Sequence, residues 1–126
     1  MKRARSVADG AGAAHVTTDP LAVINDKHVD AILIASPDQT HAPLTLACIA
    51  AGKPALCEKP LSQVARECVE VIAAETKRGK RLVQIGFMRR FDPAYVEMKQ
   101  ALTLGAIGPA LMMHNFHRNV SAPVPC

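Results

Sequence analysis

Val29-Asp30-Ala31-Ile32-Leu33-Ile34-Ala35-Ser36-Pro37-Asp38 is the stretch that decides the fold class. Its first seven residues form a nearly unbroken apolar run, β-branched in part and with one charge near the start. That is the pattern of a parallel strand covered on both faces, so a central strand is expected, broken by Ser36, Pro37 and Asp38. On its amino-terminal side, Asp19-Pro20 is an N-cap followed by a first-turn proline, which predicts a short helix over Pro20 to Asn25. Further back, Lys2 to Ala8 reads as the end of a helix stopped by Gly10 and Gly12. On the carboxyl side, Leu44, Leu46, Ala47, Ile49 and Ala50 suit a packed helix ending at Gly52.

The cycle then repeats. Pro54 to Cys57 is a second short apolar strand, and Ser62 is expected to cap a helix that carries Val64, Ala65, Cys68, Val69, Val71 and Ile72 before Gly79. Leu82 to Ile85 is the third strand. Asp92-Pro93 opens a helix that reaches Gly105, and Ala110 to His117 reads as one more strand. Strands alternating with helices at this spacing predict an α/β fold, a doubly wound parallel sheet with right-handed crossovers.

Composition agrees and excludes much else. The chain has 126 residues, 15 Lys+Arg against 11 Asp+Glu for a formal charge of +4, and an apolar fraction of 49%, which suits a globular unit and not a disordered one. Aromatic residues are only 3%, with no Trp and one Tyr, too few for a β-sandwich interior or a base-stacking platform. The apolar runs Ala31 to Ala35 and Leu46 to Ala51 fall far short of the roughly 20 residues a bilayer span needs. Met1 to Arg5 is basic like a signal peptide, but Ser6 to Ala14 contains Asp9 and two glycines in place of an apolar core, so a cytoplasmic location is expected. Cys48, Cys57, Cys68 and Cys126 are too widely spaced for a metal knuckle and read as reduced thiols, and the five histidines show no zinc-binding spacing. The cluster Lys77, Arg78, Lys80 and Arg81 surrounds the expected helix end at Gly79, where cations complement the dipole. A nucleic-acid patch is the less favoured reading.

In sheets of this kind ligands bind beyond the carboxyl ends of the strands. Three segments follow such ends: Ser36 to His41, Glu58 to Pro60, and Gly86 to Asp92. Glu58-Lys59-Pro60 sets an ammonium at the end of a buried strand, where partial desolvation and Glu58 act on it in opposite directions and it could exchange a proton with a substrate hydroxyl. The tripeptide alone better suits a surface pair with Pro60 starting a turn. For His41, capping of a turn stands beside ligand contact.

The order of the segments adds a resemblance. Ala35-Ser36-Pro37 with His41 four residues on, then A-G-K-P-A-L-C-E-K-P-L-S (51–62), then G-F-M-R-R-F-D-P-A-Y (86–95), resembles the Gfo/Idh/MocA family of NAD(P)-dependent oxidoreductases, and its inositol 2-dehydrogenases most closely. The resemblance implies a fragment, truncated at both ends, of an enzyme moving hydride between NAD or NADP and a polyol or sugar such as myo-inositol, and homo-oligomeric when complete. A noncatalytic product that binds only dinucleotide or a full-length partner subunit is the alternative. Residues 1–108 would be part of a Rossmann-type dinucleotide-binding domain, and 109–126 would start a second, α+β domain with its first strand. Ser36, Pro37, His41 and Glu58 would line the cofactor site, Lys59 would sit beside the nicotinamide and bond the substrate hydroxyl, and Arg89 with the His117-Arg118-Asn119 run would contact substrate. The resemblance implies no nucleic-acid, membrane or metal partner.

Two family features are missing from the sequence. The glycine-rich phosphate turn is expected before Met1, and with it a strand that would leave Ala31 to Ala35 as an apolar edge. Gly10-Ala11-Gly12 does not replace that turn, because it ends a helix and His15 stands at the third glycine position. The later D-x-x-x-H pair is absent as well, since no aspartate here has a histidine four residues on.

Overall fold

Residues 2–116 are described by a computed structural model. Five α-helices and three strands follow in the order α1 (Lys2–Ala11), α2 (Pro20–Asn25), β1 (Ile32–Ile34), α3 (His41–Ala51), β2 (Ala55–Cys57), α4 (Ala65–Arg78), β3 (Val83–Ile85) and α5 (Pro93–Thr103). The three strands form one parallel sheet in the order β1-β2-β3. By contact density the chain divides into two compact units, residues 1–87 and residues 88–126.

Local chemistry explains the helix ends. The Asp19 carboxylate accepts from the backbone N–H groups of Leu21 and Ala22, and Pro20 occupies the first turn of α2. α1 runs through Gly10, against the expected stop, and closes at Gly12 with Ala13 N–H bonded to Ala8 O at 2.9 Å. A glycine inside a helix costs only about 1 kcal/mol, less than what closes the last turn. α3 ends at Gly52, whose φ of +76° favours glycine, and a side chain there would also run into the Arg78 guanidinium. Arg78 itself donates to Ala50 O at 3.2 Å, so one member of the basic cluster ties the end of α4 to the end of α3. Ser62 is not the N-cap of α4, which begins after Val64. Its hydroxyl accepts from Val64 N–H and donates to the Glu67 carboxylate, holding the entry to the helix from outside.

Register carries the core. Ile32 lies beside Ala55 and Ala55 beside Val83; Ile34 lies beside Cys57 and Cys57 beside Ile85. These residues share one face, since side chains alternate along a strand. Ile34, Ala55 and Cys57 pack there with Ile24 of α2 and Cys48 of α3, and a second cluster joins Ala42 and Ile49 to Val71 of α4, with Val83 against it. The opposite face carries Leu33, Leu56 and Gln84, all exposed, Leu33 at 67%. Coverage on both faces is therefore not what the described residues show, and in their sheet β1 is the apolar edge expected of Ala31 to Ala35 and not a central strand. An apolar run records that a strand suits burial and cannot say which neighbours supply it.

The start of β3 depends on one carboxylate. Glu75 of α4 accepts from both Leu82 N–H at 2.7 Å and Val83 N–H at 2.8 Å, and Leu82 is buried. In the second unit Asp92 caps α5 by accepting from Ala94 N–H, as the Asp-Pro pair predicts. Residues 110–116 form no strand: an extended segment becomes β-structure only through a ladder, and none pairs with it among the described residues. The expected boundary at 108/109 falls inside the second unit. His117, at the end of the expected strand, lies outside the described residues. No helix among the described residues is long and apolar enough to cross a membrane.

Replacing Glu75 by Ala leaves two strand-entry donors without their acceptor. Glu75→Ala should lose about 1–3 kcal/mol in urea unfolding, and Glu75→Gln, which keeps an acceptor oxygen, less than half as much. Equal losses in the two variants would assign the effect to the charge.

Candidate functional site

The level ends of the three strands bring the expected segments of the first unit together. Glu58 N–H donates to Ile34 O at 2.9 Å, and Gly86 N–H donates to Cys57 O at 2.8 Å. Ala35, Glu58 and Gly86 thus leave the sheet side by side at its carboxyl edge, with Ser36 one residue beyond, where ligands bind in open α/β sheets.

Directly after β1 the chain enters a 3-10 turn at Asp38–Thr40 that leads into α3. The Thr40 hydroxyl donates to Pro37 O at 2.7 Å, which uses its single proton. Across the 2.5 Å contact between the two hydroxyls, Ser36 must then be the donor. Ser36 is left with lone pairs only, and a ligand group meeting it has to be a donor such as a hydroxyl or amide. Pro37 is exposed beside it. His41, the first residue of α3, is 1% exposed, with Nδ1 at 2.6 Å from Pro60 O and Nε2 at 2.8 Å from Ser36 O.

Glu58 and Lys59 are both exposed, so the partial desolvation expected of Lys59 is not present. Nor do the two form an ion pair. The Glu58 carboxylate accepts from Lys59 backbone N–H at 3.3 Å, and the Lys59-Pro60 peptide bond is cis. The carboxylate lies over Gly86, where a Cβ would come within 3.2 Å of it, so the missing side chain at position 86 makes its space. Sequence reading did not single out Gly86 or Thr40 in these roles. The strand-helix-strand spacing could have pointed to Gly86, because it follows β3 directly.

In the second unit Arg89 donates to the Asp92 carboxylate at 2.7 Å and lies over the Tyr95 ring at 5.4 Å. Asp92 thereby holds Arg89 while capping α5. Arg89 and Tyr95 line an open cleft of about 970 Å³ that Arg90 and Phe91 also border. Asn119 and the rest of the His117-Arg118-Asn119 run lie outside the described residues.

Below the strand ends, Cys57 and Cys48 are buried free thiols, and Cys68 is half-buried. Burial pushes the Cys57 thiol up, more than the nearby Thr45 hydroxyl lowers it. Burial likewise pushes Cys48 up, reinforced by Cys57 and opposed by Lys53.

The geometry matches a known family. The model of the oxidoreductase family with an NAD-binding Rossmann fold, Gfo/Idh/MocA, matches residues 1–87, and the chain belongs to that family. Among its relatives, inositol 2-dehydrogenase 2 of Saccharopolyspora erythraea is 52% identical over 121 residues, covering 96% of this chain and 36% of that protein. Inositol 2-dehydrogenase of Mycolicibacterium smegmatis is 44% identical over 96% of this chain and 35% of its own length. The chain thus spans about a third of the length of the relatives it matches. Among solved structures, a probable dehydrogenase from Thermotoga maritima superposes with a TM-score of 0.80 at 36% identity, over 85% of this chain and 32% of that one. The myo-inositol dehydrogenase of Lactobacillus casei, solved with NAD(H) and myo-inositol, gives 0.80 at 27% identity over the same shares.

The thiols give a prediction with a definite sign. Both are raised in the folded chain, so above about pH 8.5 the unfolded chain loses these protons first and stability falls as pH rises. The urea midpoint should drop between pH 8 and 9.5, and more steeply for the native sequence than for Cys48→Ala/Cys57→Ala. Identical slopes would remove the two thiols as the cause.

Proposed function

We propose that this chain supplies the hydride-transfer side of a site where NAD oxidises a carbinol of an inositol-type polyol. The observation that carries the reading is the convergence of Ser36, Glu58, Lys59 and Gly86 at the carboxyl edge of a parallel sheet, in a chain 52% identical to an inositol 2-dehydrogenase. NAD is favoured over NADP because the family description and the Lactobacillus complex both name NAD. Residues 1–108 serve as part of the dinucleotide domain and 109–126 as the start of a substrate domain. A cytoplasmic, homo-oligomeric enzyme is the setting that goes with this reading.

The fit to a dinucleotide is good at one end. When bound, nicotinamide supplies the carbon that accepts hydride. Lys59, exposed beside the strand end, takes the hydroxyl proton as a neutral amine while hydride leaves the carbinol carbon, and as the resulting ammonium then donates to the carbonyl oxygen. Glu58, Ser36 and Pro37 face the cofactor, with Ser36 accepting from a ligand hydroxyl or amide and Glu58 fixed over Gly86. Arg89, His117 and Asn119 meet the further polyol hydroxyls, which require several converging donors and acceptors.

A chimaera tests this. Replace the matching 121 residues of the Saccharopolyspora relative by those of this chain and follow NAD reduction with myo-inositol. Turnover is expected, and Lys59→Ala should lower kcat by about 10² to 10⁴ while NAD affinity stays within a few-fold. Full activity in the Lys59→Ala chimaera removes Lys59 from the mechanism. A chimaera that binds NAD without turnover favours a noncatalytic binding role.

A further inference from the structure

We propose that His41 is a positioning residue that clamps the loop after β1 to the loop after β2, and so fixes the backbone that carries Lys59, instead of touching a ligand itself. The inference rests on the reading of Lys59 as the proton-handling residue.

The geometry leaves His41 no other partner. Its ring is 1% exposed, and both nitrogens are committed, Nε2 to Ser36 O at 2.8 Å and Nδ1 to Pro60 O at 2.6 Å. The two carbonyls belong to different loops, 5 and 19 residues away in sequence. A carbonyl oxygen can only accept, and a neutral imidazole donates from one nitrogen and presents a lone pair at the other. The protonated nitrogen therefore donates to one of the two carbonyls, and the other carbonyl is packed against the opposite edge of the same buried ring.

The consequence for the site follows from the chain. Pro60 is the neighbour of Lys59, and its carbonyl is pinned to the start of α3. Ser36 O is pinned to the opposite side of the same ring, and Thr40, one residue before His41, is bonded back to Pro37 through N–H at 2.8 Å and hydroxyl at 2.7 Å. One buried ring therefore sets the spacing between the Ser36 acceptor and the Lys59 ammonium, the two groups that have to meet different parts of one bound pair of reactants.

Nitrogen NMR on the full 126-residue chain reads the clamp directly. A His41 ring proton is expected to exchange slowly, because the ring is buried and bonded to a loop carbonyl. A ring proton that exchanges as fast as in a free imidazole overturns the proposal. His41→Phe keeps the volume and removes both ring nitrogens. Amide exchange at Lys59 and Thr40 should then rise about tenfold or more, while Ala55 and Gly86 in the ladder stay within about threefold. A rise shared by all four amides, or by none, assigns His41 to general packing and overturns the clamp. Neither measurement involves turnover, so a failed clamp and a failed catalytic role for Lys59 are told apart.

Discussion

Two backbone hydrogen bonds, Glu58 N–H to Ile34 O and Gly86 N–H to Cys57 O, set the level at which the three strands stop, and the rest of the site depends on them. They lock β2 against β1 and β3 against β2 at the carboxyl edge. A slip of one residue would turn Cys57 outward and Leu56 inward, exchanging a buried thiol for a side chain that now faces solvent. It would also move Glu58 away from Gly86, where the absence of a Cβ leaves room for the carboxylate. Register, core and site geometry are thus one constraint, enforced from below by Ile34, Ala55 and Cys57 against α2 and α3.

What could be read from the sequence was what short-range chemistry dictates. The Asp-Pro pairs at 19–20 and 92–93 place two helix starts because cap and first turn lie within three residues of each other. Gly52 and Gly79 place two ends because each adopts a positive φ there. The three strands came from apolar runs, and each ladder is shorter than its run because pairing stops where the partner strand stops. Relationships across the chain were not legible. Nothing near Glu75 announces that it will serve Leu82 and Val83, and nothing near Arg78 announces Ala50. Both depend on which helix ends are brought together, which is decided by packing. The exposed face of Leu33 and Leu56 was missed for the same reason.

For the candidate site, the segments that follow the strands were legible in the sequence, and the bonding of their side chains only in part. Glu58 and Lys59 looked like an ion pair because they are adjacent, yet neighbours in extended backbone direct their side chains apart, and the carboxylate bonds the backbone N–H instead. The Ser36 hydroxyl looked like a generic polar contact. Only the position of Thr40 shows that its proton is already used. His41 was open between turn and ligand on sequence grounds, because a histidine at a loop-helix junction serves either. The carbonyl of Pro60, 19 residues away, decides where its second nitrogen goes.

Electrostatics then bears on which part of a dinucleotide the proposed site would suit. Phosphate binding wants unpaired N–H groups at a helix amino end, where the dipole is positive. Among the described residues, Gly12, Gly52, Gly79 and Gly105 have positive φ at helix carboxyl ends, and Gly108 lies in the turn after α5. Those ends expose carbonyls and a partial negative charge, which repel a pyrophosphate. The carboxyl edge of the sheet offers something different: the lone pairs of Ser36, the carboxylate of Glu58 and the ammonium of Lys59. Two acceptors and a mobile cation suit hydroxyls and amides, the groups that surround a carbon exchanging hydride. Lys59 is exposed here, so what the fold can fix in advance is the position of its backbone. Holding the loop beneath Lys59 at a fixed distance from Ser36 is that contribution, and a buried ring between two carbonyls makes it without occupying the space the reactants need.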